Sequence, residues 1–371
     1  FVQGGNETIT TGAGDDLVIG GLGHDDIKAG NGVNIVLGDE GSLTYQTSSG
    51  LRNRIESRYL DGEGLSPING AGASVGSDTI ETGTGDDVII GGLGSETTLA
   101  AGEGNNIVLG DEGFVLYQDQ ADTNTTSVLA EVTSKFLNGN SSFVQGGNET
   151  ITTGAGDDLV IGGLGNDDIK AGNGVNIVLG DEGSLTFQIS SGLRNLITSR
   201  YLDGAGTSAL DTTDAAIGDD TIETGTGDDV IIGGLGSETT LAADEGDNIV
   251  LGDEGFVQYQ DQRQTGGTSV LDQVSSTFLD GRDRFVLGGN ETITSGTGHD
   301  IIIGGLGHDD IEIGNGNNIV IGDEGGITFQ IRSGLRNLIT SRYLDGAGTS
   351  ALDTTDAAVG DDTIETGTGD D

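Results

Sequence analysis

The sequence copies itself, and the period of the copying limits the fold more than any other feature. FVQGGNETIT begins at Phe1 and again at Phe143, and it returns as FVLGGNETIT at Phe285, a period of 142 residues. Inside that period GDEG recurs at Gly38, Gly110, Gly180, Gly252 and Gly322, spaced alternately 72 and 70 residues. A finer repeat lies within each half-unit. From Thr11 the chain reads TGAGDDLVI, GGLGHDDIK, AGNGVNIVL and then GDEG. Each nine-residue unit is a Gly-rich, acidic turn of six residues followed by three residues with strand character. A unit this short cannot bury a face alone, so the copies must stack on one another.

The half-units alternate A-B-A-B-A, with a sixth begun at Gly360. Repeat blocks span 1–46, 76–118, 143–188, 218–260 and 285–330, and the sixth runs 360–371. Between them lie inserts at 47–75, 119–142, 189–217, 261–284 and 331–359. The start at Phe1 without Met, and the stop at Asp371 within a turn, suggest a piece of a longer chain.

Asp and Glu outnumber Lys and Arg by 61 to 14, a formal charge of -47. Self-repulsion on that scale opposes a compact state unless counter-charge is supplied. Nucleic acid and anionic membrane are poor partners, because binding them rests on Lys and Arg. A disordered acidic tail is excluded by apolar triplets such as LVI and IVL recurring at fixed period. No run of 18 apolar residues is present, so direct membrane insertion by a helix is not expected. The chain has no Cys, which rules out a disulfide framework and fits an extracellular setting.

The inserts share a plan. After GDEG comes a short alternating strand, SLTYQ in A and FVLYQ in B, and then a polar loop. Next, Leu51, Ile55 and Tyr59 in A, and Val128, Val132 and Phe136 in B, are spaced as one face of an amphipathic helix. Leu193, Ile197 and Tyr201, and Val270, Val274 and Phe278, repeat the pattern. YLDG and FLNG read as helix stops with Gly as C-cap. Helices of three turns need a surface to dock on.

GGLGHDDIK at Gly20 and GGLGNDDIK at Gly162 resemble the Gly-Gly-x-Gly-x-Asp-x-apolar-x repeat of the RTX (hemolysin-type) calcium-binding family. The resemblance implies an all-β-dominated parallel β-roll (a β-solenoid), with multiple Ca²⁺ held in the turns and the apolar residue of each strand pointing inward. The turn chemistry agrees: Gly admits the backbone conformations that let carbonyls converge. Carboxylates add the hard oxygens that Ca²⁺ prefers. The metal ligands this implies are Glu7, Asp16, Asp25, Asn34 and Asp39 in the first block. In the second they are Asp78, Asp87, Glu96, Asn106 and Asp111. The third supplies Glu149, Asp158, Asp167, Asn176 and Asp181, and the fourth Asp220, Asp229, Glu238, Asn248 and Asp253. Glu291, Asp300, Asp309, Asn318 and Asp323 complete the set.

Turn n stacks on turn n+2 in such a roll. That pairs Glu7 with Asp25, Asp16 with Asn34, Asp25 with the turn of Asp39, Asp78 with Glu96 and Asp87 with Asn106. Position six is often Asn or Glu, and the B half carries one extra residue around Leu99–Ala101, so fewer ions than in an ideal repeat are expected. The alternative at any one turn is that Asp or Asn merely closes it by an Asx hydrogen bond.

Ile9, Val18, Ile27 and Val36 occupy the inward position. The flanking positions alternate between units. TIT and DIK are polar outside, whereas LVI at Leu17, IVL at Ile35, VII at Val88 and III at Ile301 are apolar. One sheet therefore has a wet outer face and the other a greasy one. Large aliphatics worth roughly 1.5–3 kcal/mol each when buried call for a cover. The insert helix is the nearest candidate, and a neighbouring chain is the rival.

Eight of the basic residues fall in the A inserts: Arg52, Arg54, Arg58, Arg194, Arg200, Arg332, Arg336 and Arg342. They form either a solvated face or a contact with acidic turns of a neighbour. His24, His299 and His308 are turn-surface variants; the last two fall in consecutive turns, hence on opposite edges. No Ser-His-Asp arrangement and no phosphate loop is present. TGTGDD at Thr82, Thr224 and Thr366 is similar to the turn of RTX-type ice-binding modules, but once per 142 residues it makes no flat array. Asn-x-Thr at Asn6, Asn148 and Asn290 is explained by turn chemistry rather than glycosylation.

These features point to a non-enzymatic, calcium-binding structural array, extracellular or at the cell surface, as in a bacterial fibre, adhesin stalk or sheath. Self-association and an unidentified surface ligand are the partners to expect. The alternative is the accessory repeat region of a secreted enzyme or toxin whose active domain lies outside these residues.

Overall fold

A computed structural model of the chain describes residues 5–47, 49–57, 76–92, 94, 97–119, 127–134, 147–188, 192–199, 218–234, 236, 239–261, 269–276, 289–330, 336–341, 361–369 and 371. Each nonapeptide contributes one short strand. In the first half-unit β1 (Thr8–Thr10), β2 (Leu17–Ile19), β3 (Asp26–Gly30) and β4 (Ile35–Leu37) make two coils. β5 (Gly41–Tyr45) and β6 (Arg52–Ser57) follow from the insert. The second half-unit repeats this with β7 (Thr79–Thr82), β8 (Val88–Ile90), β9 (Thr98–Ala100) and β10 (Ile107–Leu109), then β11 (Gly113–Asp119) and β12 (Ser127–Ser134).

Alternate strands pair in parallel. Thr8, Ile9 and Thr10 lie beside Asp26, Ile27 and Lys28, and Leu17, Val18 and Ile19 beside Ile35, Val36 and Leu37. Continued along the chain, this makes an 11-stranded and a 10-stranded parallel sheet face to face. Between them Val18, Ile27, Val36, Ile80, Ile89 and their counterparts fill the roll interior. This is the β-roll that the nonapeptide pattern implies.

The inserts do not interrupt the roll. β3 pairs with β7 and β4 with β8 as if the 35 residues 41–75 were absent. The reason is visible in the sequence: residues 38–40 and 76–81 together read GDEGSDTIE, one complete nonapeptide. Each insert is spliced into a single turn.

The insert helices are a correction. Where helices are expected, β6 and β12 are strands, and the described residues contain no helix. β5 and β6 form an antiparallel hairpin, as do β11 and β12, and β6 pairs with β11 across half-units. The result is a third sheet of 10 antiparallel strands running the length of the roll. A spacing of four residues is a whole helical step and also two strand steps, so Leu51 and Ile55 fit either period. Pairing with the neighbouring alternating strand decides for the hairpin. Tyr59, Phe136, Tyr201 and Phe278 lie outside the described residues.

This third sheet is the cover. Leu43, Ile55, Val115, Val132, Leu185 and Ile197 stand in one cross-strand row. Val257, Val274 and Ile327 prolong it in the hairpins beyond. The row packs on Ile35, Leu37, Val88, Ile90, Ile107 and Leu109 of the greasy roll face in one continuous cluster. Ile55, Val115 and Val132 are fully buried there. The chain's own strands, rather than helices, cover this apolar face from Ile35 onward, while Leu17 and Ile19 of the first coil stay exposed at 51 % and 41 %.

Candidate metal sites

The turns form two edges. At the first edge, before the 11-stranded sheet, position six stacks as Glu7, Asp25, Asp78, Thr97, Glu149, Asp167, Asp220, Thr239, Glu291, Asp309 and Asp362. Glu96 and Glu238 lie outside the described residues; the register puts Thr97 and Thr239 at their assigned places in the stack. Gly94 stacks on Gly76, 18 residues before it, whereas Thr98 pairs with Thr79, 19 before it. The extra residue of the B half therefore falls between Gly94 and Thr97, not at Leu99–Ala101. The triplet TLA, aligned with TIT and TIE, is the sequence signal for it. Asp362 was missed only because its block is incomplete; DDTIE carries the motif.

The partner of Asp25 is Asp78. Both Asp39 and Asp78 belong to the spliced turn above it, Asp39 at the turn's start and Asp78 at position six. Side-chain oxygens and amides knit this edge together. Asp25 Oδ1 accepts the amide of Glu7 at 2.7 Å, and Asp78 Oδ1 accepts that of Asp25 at 2.9 Å. Asp167 and Asp220 repeat this with Glu149 and Asp167 at 2.7 and 2.9 Å. Asp111, at the start of the spliced turn that ends in Glu149, accepts the Leu164 amide at 2.7 Å.

The second oxygens are left buried without a donor. Asp25 Oδ2, Asp167 Oδ2, Asp309 Oδ2, Asp253 Oδ1 and both carboxyl oxygens of Glu149 and Glu291 are reached by no N–H or hydroxyl donor, and Glu149 and Glu291 face only other carboxylates, Asp167 and Asp309. Glu149 is 1 % exposed. Burial, then the negative charges of Asp111 and Asp167, push its carboxyl up to about 12. Glu291 is pushed up to about 11 by burial and by Asp253 and Asp309. Burial raises Asp78 to about 7 and Asp167 to about 6. The salt bridges among the described residues, Lys28–Glu81, Arg54–Glu56 and Lys170–Asp168, lie elsewhere, so these protein cations do not neutralise the edge.

At the second edge, before the 10-stranded parallel sheet, Asp16, Asn34, Asp87, Asn106, Asp158, Asn176, Asp229, Asn248, Asp300 and Asn318 stack in strict Asp–Asn alternation. Every rung accepts the amide of the rung before it through Oδ1, from Asn34 on Asp16 at 3.2 Å to Asp371 on Asn318 at 3.1 Å. The Asx hydrogen bond thus operates here, between coils. Residue type at the first turn position follows the sixth. Thr11, Thr82, Thr153, Thr224 and Ser295 precede the Asp turns; Ala29, Ala101, Ala171, Ala243 and Ile313 precede the Asn turns.

Asp39, Asp181 and Asp323 occupy the same place in their spliced turns as Asp111 and Asp253. The next residue of GDEG is also buried: Ser134 and Ser276 hydroxyls donate to Glu182 and Glu324 at 3.2 and 3.0 Å, and burial raises both carboxyls to about 7. The histidines substitute in an outer ladder at position five, His24 and His308 for Asn and His299 for Asp. Nδ1 of His24, His299 and His308 accepts the amides of Ser77, Asn317 and Asp361 at 2.8, 3.0 and 2.7 Å. Arg54 chelates Glu56 and stacks on the Phe114 ring at 3.7 Å, and Arg52 lies 5.5 Å over Tyr117. Arg58, Arg200, Arg332 and Arg342 lie outside the described residues.

Among the described residues, no three His, Cys, Asp or Glu side chains gather into a ready-made metal cage. The donors are strung along the edges instead, with roughly one carboxylate per turn beside Gly carbonyls. Gly180 O, for example, and Asp167 Oδ2 both face Gly162. Buried, partnerless carboxylate oxygens beside carbonyls are the hard donor set suited to Ca²⁺. The first edge fits the ion. Bound there, Ca²⁺ would supply the positive charge that the chain lacks. The chain's own part is to orient each carboxylate through its amide bond to the neighbouring coil.

The family model for the RTX calcium-binding nonapeptide repeat (4 copies) matches residues 2–36, 73–97, 144–183, 211–239 and 286–320. No curated protein matches the chain.

Proposed function

We propose that this chain, which carries RTX calcium-binding nonapeptide repeats in each of its five main blocks, is the load-bearing part of an extracellular surface fibre, adhesin stalk or sheath, folded by Ca²⁺ after export. The repeats bind several Ca²⁺ ions. The observation that carries the reading is Glu149, deeply buried beside Asp111 and Asp167, with no protein donor offered to either carboxyl oxygen. A column of such groups opposes its own folding until cations neutralise it. Ca²⁺ is scarce inside cells and abundant outside, so binding adds its free energy to folding only after secretion.

The mechanical, non-catalytic role is supported by the way half-units are fused. A sheet shared by successive hairpins ties each 70- or 72-residue half-unit to the next, so the array resists extension as one body. Self-association of such arrays is part of the proposal. Electron microscopy and sedimentation of the chain with Ca²⁺ and with chelator test it. Extended, uniform particles that expand and lose their outline on chelation support the reading. Particles of unchanged shape in both conditions would refute it.

A further inference from the structure

We infer that the second edge takes a cation only at its Asp turns, where a Thr or Ser hydroxyl joins the carboxylate, and that Asn in the intervening turns replaces the cation with its own side-chain amide. The inference rests on the calcium reading above and deepens it.

In the Asn turns every polar atom of the side chain is spent. Asn34 Nδ2 donates to Gly30 O at 3.1 Å and Gly32 O at 2.9 Å, while its Oδ1 accepts from Asp16. Asn106 does the same with Gly102 O at 3.0 Å and Gly104 O at 2.9 Å. The amide thus binds two inward carbonyls of its own turn, as a bound ion would. The side chain of that Asn has no atom left for a metal, and the first position, Ala29 or Ala101, brings no side-chain oxygen.

The Asp turns are the reverse. Asp87 is 1 % exposed; its Oδ1 accepts the Asn34 amide at 2.7 Å, but its Oδ2 has no partner. Thr82 Oγ1, five residues back, is buried facing that carboxylate and lowers its pKa, but makes no well-formed hydrogen bond. The same facing pair recurs as Thr153 with Asp158 and Thr224 with Asp229, whereas Thr11 Oγ1 donates to Ala29 O at 2.6 Å. Where Ser stands instead, its hydroxyl reaches the carboxylate: Ser295 Oγ donates to Asp300 Oδ2 at 2.9 Å. Hydroxyl, carboxylate and Gly carbonyls are all neutral or anionic oxygens, the donor class of Ca²⁺. A purely structural Thr–Asp pair would leave the Asn turns free to carry Thr as well. All ten turns instead keep the hydroxyl with Asp and an apolar side chain with Asn.

The test counts ions on the intact chain by native mass spectrometry in Ca²⁺, using two double variants. Asp158→Asn with Thr153→Ala copies the neighbouring turn and should lower the count by one. It should also raise amide protection of that turn in chelator. Asn106→Asp with Ala101→Thr should raise the count by one. If wild type binds Ca²⁺ and the first variant leaves the count unchanged, the inference is overturned, whether or not the second variant folds. A wild-type chain that takes up no Ca²⁺ overturns the functional reading instead.

Discussion

The amide of Asp25 donates to Oδ1 of Asp78 at 2.9 Å, although 53 residues separate them. They are consecutive rungs of one edge, because the insert between them begins and ends inside a single turn. Joining Glu40 directly to Gly76 would therefore restore a normal nonapeptide and leave the roll in register. Deleting 41–75 should preserve the parallel sheets but uncover Ile35, Leu37, Val88 and Ile90. At roughly 1.5–3 kcal/mol per aliphatic returned to water, the product should bind a hydrophobic dye and self-associate. Dye fluorescence and light scattering check this; a clean monomer without dye binding would contradict it.

The cross-strand row is the strongest packing feature outside the roll. Ile197, nearly fully buried, faces Leu185 on one side and Val257 on the other. Ile197→Ala should cost about 2–5 kcal/mol. Because each repeat touches only its neighbours, hydrogen exchange should rise in the hairpins around 183–199 and 255–276 and stay low in distant coils.

Gly23 lies at φ 136° with its Cα against Gly5 O, so a Cβ there would collide with the coil below. Gly23→Ala should strain the first edge between Glu7 and Asp25 and weaken Ca²⁺ uptake locally. Gly14, at φ 134° but with open space around it, should show the smaller backbone penalty alone, about 1–3 kcal/mol. Calorimetric titration of the two variants separates collision from conformation.

The roll was legible because its signal is a period: the triplets fix which residues point inward, and the acidic turns fix the edges. The covering of Leu37 and Val88 was legible from their hydrophobicity. The covering element was not, since Leu51 and Ile55 stand four apart, a spacing that strand and helix share. Hairpin pairing of β6 with β5 and β11 is a non-local fact that no window around Ile55 contains. Likewise Thr97 was hidden by one extra residue, and the Asn–Asp alternation could be read as a list of ligands until the amide of Asn34 was placed on Gly30 and Gly32.

Acid should stabilise the ion-free protein. Burial raises Asp78 from 3.8 to about 7 and Asp167 from 3.8 to about 6, so the folded chain holds protons that the unfolded chain releases. That stability is present below the unfolded value and is lost as pH rises through about 6 to 7. In chelator the melting temperature should fall between pH 4 and pH 7.5. In saturating Ca²⁺ the trend should reverse, because protons then compete with the ion.

The most direct measurement is far-UV circular dichroism of the whole chain during chelation and Ca²⁺ return at neutral pH. Calcium-coupled folding predicts that the β signal collapses in excess chelator and recovers as Ca²⁺ is restored. A β signal and melting temperature that are the same with and without chelator would contradict it.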